Sequence, residues 1–450
     1  MVNVIIGLAG LGLVIFLHEL GHLLAAKSVG ITVEAFSVGW GRKIWSRRFG
    51  ETDYRLSWLP IGGYCKMQGE HALLRAWQER SSRIEVEPGD FYAAKPLHRI
   101  FVLIAGPAIN FLFAVIVLAA VATIGYSIQT FPNRIVLAAD YGISDTVAEE
   151  AGFRTGDRIT SIAGERIETF REIQTVIGRS ADETLPVTLS RDGETIETTI
   201  RPVLDPGTGA GRIGVYPWVE PEVADVDAAS PAALAGIRGG DRIVAVDGTP
   251  VEHSIGVEHA IMNSGRDSIR ITVLRDGEQR SITVIPDYDE SGAPRLGIAY
   301  ETLTVRSATY GLIGGIAQGF REAIDTLALT IRGIGLLFKG VDLNQALMGP
   351  VRITYMVGEV ATVGFEGGFG RGALSLFNFL ALISITLFFM NLLPIPVLDG
   401  GQIVLSFLEM IKNGPLHPRF VYHYQVVGNV IILALMFFAL FNDILFFTRG

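Results

Sequence analysis

Two histidines and a glutamate lie close together in LGLVIFLHELGHLLAAKSVGI, residues 11–31, a stretch that otherwise has the composition of a membrane-spanning helix. A charged residue at that depth costs roughly 2.5 to 3.5 kcal/mol on insertion scales, so its presence needs a physical reason. His18 and His22 share one helix face, which lets both imidazoles bind one metal ion while Glu19 lies beside an attacking water. Zinc suits such a site, with three protein ligands and a water. The alternative is a pair of buried histidines that hydrogen-bond to neighbouring groups.

A candidate third ligand lies in FFMNLLPIPVLDGG, residues 388–401. Asp399 follows two helix-breaking prolines, Pro394 and Pro396, and precedes two glycines. Non-helical backbone at membrane depth is tolerated only where it is buried in protein or lines a watery cavity. The break therefore predicts a cavity, and a carboxylate facing it would complete a His, His, Asp metal site.

The composition indicates a membrane protein. The chain has 450 residues, of which 49% are hydrophobic, and a formal net charge of −9. The negative charge and the lack of a long basic tail argue against nucleic-acid binding. The lone cysteine, Cys65, cannot form an intramolecular disulfide.

Four apolar runs reach the ~20 residues that a bilayer requires. They cover about residues 4–28, 99–126, 373–395 and 425–447. The first run resembles a signal peptide only in its position, because its start, MVNVIIG, lacks a basic region. We interpret it as a retained helix, which gives four membrane spans.

The basic residues of the short loops predict the orientation. The loop of residues 30–95 should be cytoplasmic, because it carries ten Lys or Arg residues: Arg42, Lys43, Arg47, Arg48, Arg55, Lys66, Arg75, Arg80, Arg83 and Lys95. The connection after the third run holds Lys412 and Arg419 and should lie on the same side. Residues 127–372 should then be extracytoplasmic.

The extracytoplasmic segment contains an internal repeat. AGFRTGDRITSIAGERI (151–167) returns as AGIRGGDRIVAVDGTPV (235–251), and VTLSRDGE (187–194) returns as ITVLRDGE (271–278), both at an offset of 84 residues. Alternating runs split by Asp-Gly predict hairpin strands, and AEEAGF and PAALAGI predict short helices. The repeat predicts two copies of one α+β module.

Both copies resemble PDZ domains of bacterial membrane proteases, which bind extended chains at a sheet edge. The alternative is a pair of inert β-rich spacers. In the following segment, residues 303–372, apolar residues at helical spacing are interrupted by glycines and charges. We interpret that segment as amphipathic helices at the outer membrane interface.

The ordered motifs together resemble the site-2 protease family of intramembrane zinc metalloproteases, in particular its bacterial RseP-type branch with two PDZ domains. The resemblance rests on HELGH, on GPAIN (106–110), on NLLPIPVLDGG and on the tandem modules between the second and third spans. It implies a polytopic α-helical membrane protein with four transmembrane helices and two inserted extracytoplasmic PDZ-like α+β domains. It implies His18, His22 and Asp399 as zinc ligands and Glu19 as the catalytic residue.

The resemblance also implies substrate contacts. Asn391 matches the family's asparagine that holds the substrate near the scissile bond. YRLSWLPIGGYCKM, residues 54–67, matches a membrane-associated β-hairpin near the active site. The expected substrate-binding residues are Asn391, Pro394, Pro396, Gly62 and Gly63. For GPAIN we expect helix packing, since small residues commonly pack helices in membranes.

The implied activity is cleavage of transmembrane segments in single-pass membrane proteins, such as an anti-sigma factor already cut by a first protease, or signal-peptide remnants. Further expected partners are peptide or protein ligands of the PDZ domains and membrane lipid. The expected location is the bacterial inner membrane, with the PDZ domains periplasmic and the active site towards the cytoplasmic side. The tandem modules are expected to exclude substrates with a folded external domain.

Two other functions compete with this interpretation. A catalytically inactive PDZ scaffold is one alternative, but the intact Glu19 argues against it. A zinc transporter is the other, but a transport path normally offers several metal sites and this sequence offers one.

The sequence predicts nine segments. They are 1–29 (first span), 30–96 (cytoplasmic loop with the hairpin), 97–127 (second span), 128–216 and 217–302 (PDZ domains), 303–372 (amphipathic helices), 373–398 (third span), 399–424 (cytoplasmic connection) and 425–450 (fourth span and C-terminus).

The topology can be tested by labelling single cysteines in a variant that lacks Cys65. Labels near Arg47 and Lys412 should react from the cytoplasmic face and labels near Asp192 and Asp276 from the opposite face, because basic short loops stay inside. Reaction of Arg47 and Asp192 positions from the same side would contradict the four-span arrangement.

Overall fold

The computed structural model describes residues 2–142, 146–205, 208–264, 268–288, 294–337 and 348–449. The chain forms two compact units. The helical unit combines Met1–Tyr126 with Ser307–Gly450, and the sheet unit is Ser127–Arg306.

The described elements are numbered here in chain order. The helices are α1 (Val2–Ser28), α2 (Glu70–Gln78), α3 (Pro96–Ile124), α4 (Val147–Glu150), α5 (Phe170–Arg179), α6 (Pro231–Ala235), α7 (Ser254–Ser264), α8 (Leu312–Leu337), α9 (Pro350–Glu366), α10 (Phe369–Leu392), α11 (Asp399–Lys412) and α12 (Pro418–Arg449). The strands are β1 (Val33–Phe49), β2 (Thr52–Met67), β3 (Ser127–Thr130), β4 (Ile135–Leu137), β5 (Arg158–Ile162), β6 (Glu165–Arg166), β7 (Leu185–Arg191), β8 (Glu194–Ile200), β9 (Val203–Leu204), β10 (Gly211–Arg212), β11 (Val215–Pro217), β12 (Val223–Val226), β13 (Arg242–Val246), β14 (Thr249–Pro250), β15 (Ile269–Arg275), β16 (Glu278–Val284), β17 (Asp287–Tyr288), β18 (Pro294–Arg295), β19 (Ile298–Tyr300) and β20 (Leu303–Arg306).

Four described helices are long and apolar enough to cross a membrane: Val2–Ser28, Pro96–Ile124, Phe369–Leu392 and Pro418–Thr448. They correspond to the four predicted spans, and together with the inserted sheets they confirm the class of a helical membrane protein with β-containing insertions. The boundaries differ near the third span, where α10 ends at Leu392 and residues 399–412 form a helix of their own. The predicted connection of residues 399–424 is therefore mostly helical.

Small residues bring the helices of the helical unit into backbone contact. A Cβ atom on Gly21 of α1 would overlap the backbone of Ala105 and Gly106 in α3. A Cβ atom on Gly358 of α9 would likewise overlap Asn3 of α1. Such close approach is typical of membrane helices, where dispersion contacts replace the hydrophobic effect. Helix α1 is therefore held between α3 and α9.

Helix α8 packs along α3, with fully buried Ala323 against a cluster that includes Ala114 and Leu118. The remaining faces of α8 are largely exposed and carry both apolar and charged residues, among them Ile316 and Arg321. The location of this segment at the outer membrane interface stays a prediction.

Helix α9 begins at a carboxylate supplied by another helix. Asp443 of α12 accepts hydrogen bonds from the backbone N–H groups of Gly349, Val351 and Arg352 at 2.8, 3.0 and 3.2 Å. These donors have no partner within the helix, and a negative charge at a helix N-terminus is favourable. The contact fixes α12 to the start of α9.

Strands β1 and β2 form a sheet that bends back on itself. Phe36 pairs with both Cys65 and Tyr54, and Arg47 also pairs with Tyr54. The two long strands thus act as four short segments in the spatial order 43–49, 53–57, 33–38 and 63–67. Gly62, at φ 88°, stands at the bend, where a Cβ atom would overlap the Trp40 ring.

The sheet unit contains two four-stranded sheets with equivalent strand orders, β6-β5-β7-β8 and β14-β13-β15-β16. Each sheet packs on its own apolar core, which includes Ile159 and Ile173 in the first module and Ile243 and Val257 in the second. The tight turn predicted at the Asp-Gly sequence joins β7 to β8, with Asp192 at φ 50°. The predicted repeat is therefore present as two similar α+β modules.

The same ion pair occurs at equivalent positions of the two modules. Arg191 binds both oxygens of buried Asp157 at 2.7 and 2.8 Å, and Arg275 binds both oxygens of buried Asp241 at 2.6 Å. Burial acts to raise the pKa of Asp241, but hydrogen bonds from Arg275 and from the Arg238 backbone outweigh it, so the pKa is lowered. The pair therefore stabilises the charged form of Asp241.

Replacing Asp241 with Asn should lower the free energy of unfolding of the sheet unit by roughly 3 kcal/mol at neutral pH, because Arg275 loses a buried partner. Since the folded-state pKa is lowered, the wild-type contribution is complete above the unfolded-state pKa of ~3.9 and declines as the pH falls below it. Pulse proteolysis of the full-length protein in urea measures both effects. Exposed Asp287→Asn is the control, and equal destabilisation by the two variants would contradict the assignment.

Candidate metal centre and catalytic cavity

Three side chains of the helical unit converge on one point. Helix α1 places His18 and His22 one turn apart, and Asp399 is the first residue of α11. The Nε2 atoms of the histidines are 3.1 Å apart, and they lie 3.3 Å (His18) and 3.4 Å (His22) from the two carboxylate oxygens of Asp399. The structure thus brings together the three residues predicted as metal ligands.

These separations fit a zinc ion. Ligand atoms ~2.0 Å from a tetrahedral zinc ion are about 3.3 Å from one another. The Nδ1–H of His22 donates to the backbone carbonyl of Val102 at 2.9 Å, which leaves the Nε2 lone pair directed at the other ligands. The donor set, its spacing and the ring orientation therefore suit zinc.

The two histidines are supported differently. Among the described residues, the buried Nδ1 atom of His18 has no hydrogen-bond partner. The His18 ring instead packs edge-on against the His22 ring, with centroids 4.8 Å apart. His22 is therefore the more firmly oriented ligand.

The predicted break before Asp399 is present. Residues 393–398 are not helical, and Val397 has φ 94°, a strained conformation for a β-branched residue. A Cβ atom on Gly400 would overlap the carbonyl of Leu392, and one on Gly401 would overlap the carbonyl of Ile395. The two glycines therefore let α11 start directly beneath the broken segment and direct Asp399 towards α1.

Glu19 lies beside the metal ligands and next to β2. The backbone of Cys65 hydrogen-bonds to Glu19, and a Cβ atom on Gly63 would come within 3.2 Å of the Glu19 side chain. The sheet thus holds the carboxylate from one side while α1 holds it from the other. This arrangement leaves Glu19 close to His18, His22 and Asp399 without being a fourth member of the cluster.

The cluster opens into a cavity of about 780 Å³. Asn391 and Gly63 line this cavity together with His18, Glu19 and His22. Gly62 lies at the bend of the sheet, and Pro394 and Pro396 lie in the broken segment; these three are not among the lining residues that the structure describes. The substrate-binding roles of all five residues stay predictions.

Sequence reasoning missed several residues of the site. Gln402, Gln425 and Asn429 also line the cavity, and nothing in their spacing singles them out. The Val102 carbonyl is a backbone atom and has no sequence signal. The GPAIN motif marked Gly106 as a helix-packing residue. The structure shows more than general packing, because a Cβ atom at Gly106 would overlap the His22 imidazole.

A membrane helix bearing H-E-x-x-H, with an aspartate from a broken helix beside it, defines a membrane-embedded metalloprotease centre. Comparison with known families agrees with this class. The model of peptidase family M50 matches residues 6–435. The chain belongs to this family, the site-2 proteases.

Relatives of similar length support the same assignment. A Treponema pallidum (strain Nichols) protein named "Putative zinc metalloprotease" is 40% identical over 447 residues, covering 99% of both chains. A Pasteurella multocida (strain Pm70) protein named in the same way is 31% identical over 97% of both chains. The "Regulator of sigma-E protease RseP" of Escherichia coli (strain K12) is 28% identical over 97% of both chains.

The predicted family, enzyme class and cofactor are confirmed, and the chain is a zinc metalloprotease of the membrane. The roles of individual residues at the site are not tested by these relationships. These roles stay predictions, which the geometry supports.

Gly106→Ala should lower zinc affinity about tenfold or more, because the added methyl group would displace His22 from its ligand position. Chelator competition on the purified protein measures the zinc affinity, and cleavage of a transmembrane peptide should fall with it. Gly12→Ala in α1 is the matched control, since a Cβ atom at Gly12 meets no atom within 4 Å. Unchanged zinc affinity in Gly106→Ala would show that the α1–α3 contact does not position His22.

Proposed function

We propose that this protein is an intramembrane zinc endopeptidase that cuts the transmembrane segments of single-pass membrane proteins. The observation that carries this proposal is the spacing of His18, His22 and Asp399, at 3.1 to 3.4 Å, beside Glu19 in an apolar helix. Two histidines that were only buried core residues would not require the Asp399 carboxylate beside them, at the end of a strained break between two helices.

The chemistry is peptide hydrolysis. Zinc, when bound by His18, His22 and Asp399, supplies a Lewis acid for the scissile carbonyl and lowers the pKa of water towards ~7. Glu19 would accept the proton of the attacking water and deliver it to the leaving amine. The Cys65 backbone and α1 hold the Glu19 carboxylate in position for both transfers.

A transmembrane substrate must unwind before it can be cut, because a helix hides its peptide bonds in internal hydrogen bonds. Segment 63–67 is the edge of the β1–β2 sheet that lines the cavity. An unwound substrate added to this edge would lie beside Glu19, and the Asn391 amide, which lines the same cavity, would hold its backbone. Binding of the substrate as an added strand would thus explain why a sheet lies beside the catalytic cavity.

The modules of the sheet unit are proposed to be PDZ-like domains. Their support is the repeated A-G-x-x-x-G-D-x-I motif and the equivalent strand orders. Such modules bind extended chains. Placed outside the membrane, they would also exclude a substrate that still carries a folded external domain, so this protease would act after a first cut.

The proposed substrates are anti-sigma factors already shortened by a first protease and remnant signal peptides. The name of the Escherichia coli relative, a regulator of sigma-E protease, supports the first class. The proposed location is a bacterial inner membrane, with the sheet unit periplasmic and the metal centre towards the cytoplasmic side. The basic residues of the loop between the first two spans support this orientation.

The alternative of an inactive PDZ scaffold is not favoured. A scaffold has no need of an ionisable side chain at Glu19 in a membrane helix, where such a residue marks a functional site by default.

Replacing Glu19 with Gln should reduce cleavage of a transmembrane peptide by about 10²–10⁴-fold while zinc remains bound, because the metal ligands are unchanged. Ala at His18, His22 or Asp399 should remove both zinc and cleavage. Metal analysis and peptide cleavage by the purified protein in detergent distinguish the two outcomes.

Exposed Glu85→Gln is the control, because it removes the same charge from the loop outside the metal centre. Substantial turnover by Glu19→Gln would mean that another group is the base. Cleavage by the zinc-free wild-type protein would contradict the proposed mechanism as a whole.

A further inference from the structure

The part of the β1–β2 sheet farthest from the cavity, segments 43–49 and 53–57, exposes large apolar side chains. Trp45 is 54% exposed, Phe49 75% and Leu56 46%. Three of the chain's five tryptophans, Trp40, Trp45 and Trp58, lie in or beside these segments. Exposed apolar patches of this kind mark an interaction surface.

Strand pairing divides these segments into two different faces. Trp45 lies opposite Leu56, and Arg47 lies opposite Tyr54, so these side chains share one face of the sheet. The other face is polar, with Arg48 opposite Asp53 and Ser46 opposite Arg55. The apolar face therefore carries one cation, Arg47, beside Tyr54.

Contacts with α1 give the depth of this face. Gly63 lies against Ile15 and Glu19, near the middle of the first span. Tyr54 instead lies at the end of the span, where the Lys27 ammonium donates to its hydroxyl at 2.9 Å and stands 5.4 Å from its ring centre. Tyr54 and its strand partner Arg47 are therefore at the level of the lipid headgroups, and Trp45 lies deeper.

The cations at this level have no balancing carboxylate. Within the described parts of the chain, no acidic oxygen lies within ion-pair distance of Lys27 or Arg47. The polar face is different, because Lys43 and Arg55 both bind Asp53, at 2.8 and 2.7 Å. Two uncompensated cations and a tyrosine hydroxyl therefore lie at the headgroup level, and exposed Trp45 lies deeper on the same face.

We propose that Lys27, Arg47 and Tyr54 form a binding site for the headgroup of an anionic phospholipid, with Trp45 against its acyl chains. Positive side chains attract anionic lipids at a bilayer surface, and tryptophan suits the boundary between headgroups and hydrocarbon. The site does not depend on the proteolytic activity. Its assignment to the cytoplasmic leaflet is the one part of the proposal that rests on the proposed topology.

This lipid site would be coupled to the catalytic centre through the sheet. A headgroup held by Lys27 of α1 and Arg47 of segment 43–49 joins the outer part of the sheet to α1. The opposite edge of the same sheet, segment 63–67, lies against Glu19. Binding of the lipid would therefore hold the cavity-lining edge in place, and cleavage should be faster in membranes that contain anionic lipid.

The test uses full-length protein in nanodiscs of phosphatidylcholine with one third phosphatidylglycerol. Trp77 and Trp218 are replaced with Phe, so that the tryptophans of the sheet report on nearby lipid. Quenching by brominated phosphatidylglycerol, relative to brominated phosphatidylcholine, gives the relative association of the two lipids. We expect a preference for phosphatidylglycerol that Lys27→Gln and Arg47→Gln each reduce about fivefold, which corresponds to ~1 kcal/mol per cation.

Arg80→Gln with Arg83→Gln is the matched control, because it removes two cations from the same loop away from the sheet. This control and the charge-conserving variant Lys27→Arg with Arg47→Lys should keep the preference, and inorganic phosphate should not abolish it. Equal loss in the Arg80 and Arg83 control would indicate general charge attraction and overturn the site. Absence of any preference in the wild-type protein would overturn it as well.

Lipid preference and proteolysis are measured in separate experiments. Glu19→Gln should keep the lipid preference although it does not cut, so failure of the protease assignment would leave the lipid result standing. In the active protein, Lys27→Gln with Arg47→Gln should lower cleavage in phosphatidylglycerol nanodiscs to the rate in phosphatidylcholine alone. A cleavage rate that is independent of lipid would contradict the coupling while leaving the binding site intact.

Discussion

The contact between Asp399 and the two histidines is the interaction on which the helical unit depends. A carboxylate and two imidazoles at membrane depth are unfavourable unless they are brought together around a cation. Their donor atoms lie on two separate helices, so α1 and α11 must be held at a fixed distance. The rest of the unit can be understood as the set of contacts that maintains this distance.

Close backbone contacts supply most of that restraint. Gly21 and Gly106 bring α1 and α3 so near that the Val102 carbonyl reaches His22. On the other side, Gly400 lets α11 begin against the end of α10, so that the broken segment directs Asp399 at α1. Small residues thus serve the metal site as directly as the ligands do, because a methyl group at either contact would move a ligand atom.

The sequence predicts the metal site almost completely, but it predicts the contacts that hold the ligands in place only in part. His18, Glu19 and His22 are local in sequence, and Asp399 is marked by the prolines before it, so spacing and helix-breaking chemistry predict both. The Val102 carbonyl cannot be predicted, since every residue has one. The double pairing of Phe36 with Cys65 and Tyr54 is likewise hidden, because an alternating pattern specifies a strand and not the bend that folds it back.

The bend of the sheet determines which of its segments can face the cavity. An edge strand offered to a substrate at membrane depth exposes polar backbone groups, which lipid cannot satisfy. By folding back, the sheet turns one edge, segment 63–67, towards the cavity and covers the other side of segment 33–38 with segment 53–57. In the proposed lipid site, the outermost segment, 43–49, carries Trp45 towards the hydrocarbon and Arg47 at the headgroup level. The bend therefore separates the edge proposed to bind the substrate from the apolar face proposed to contact the bilayer.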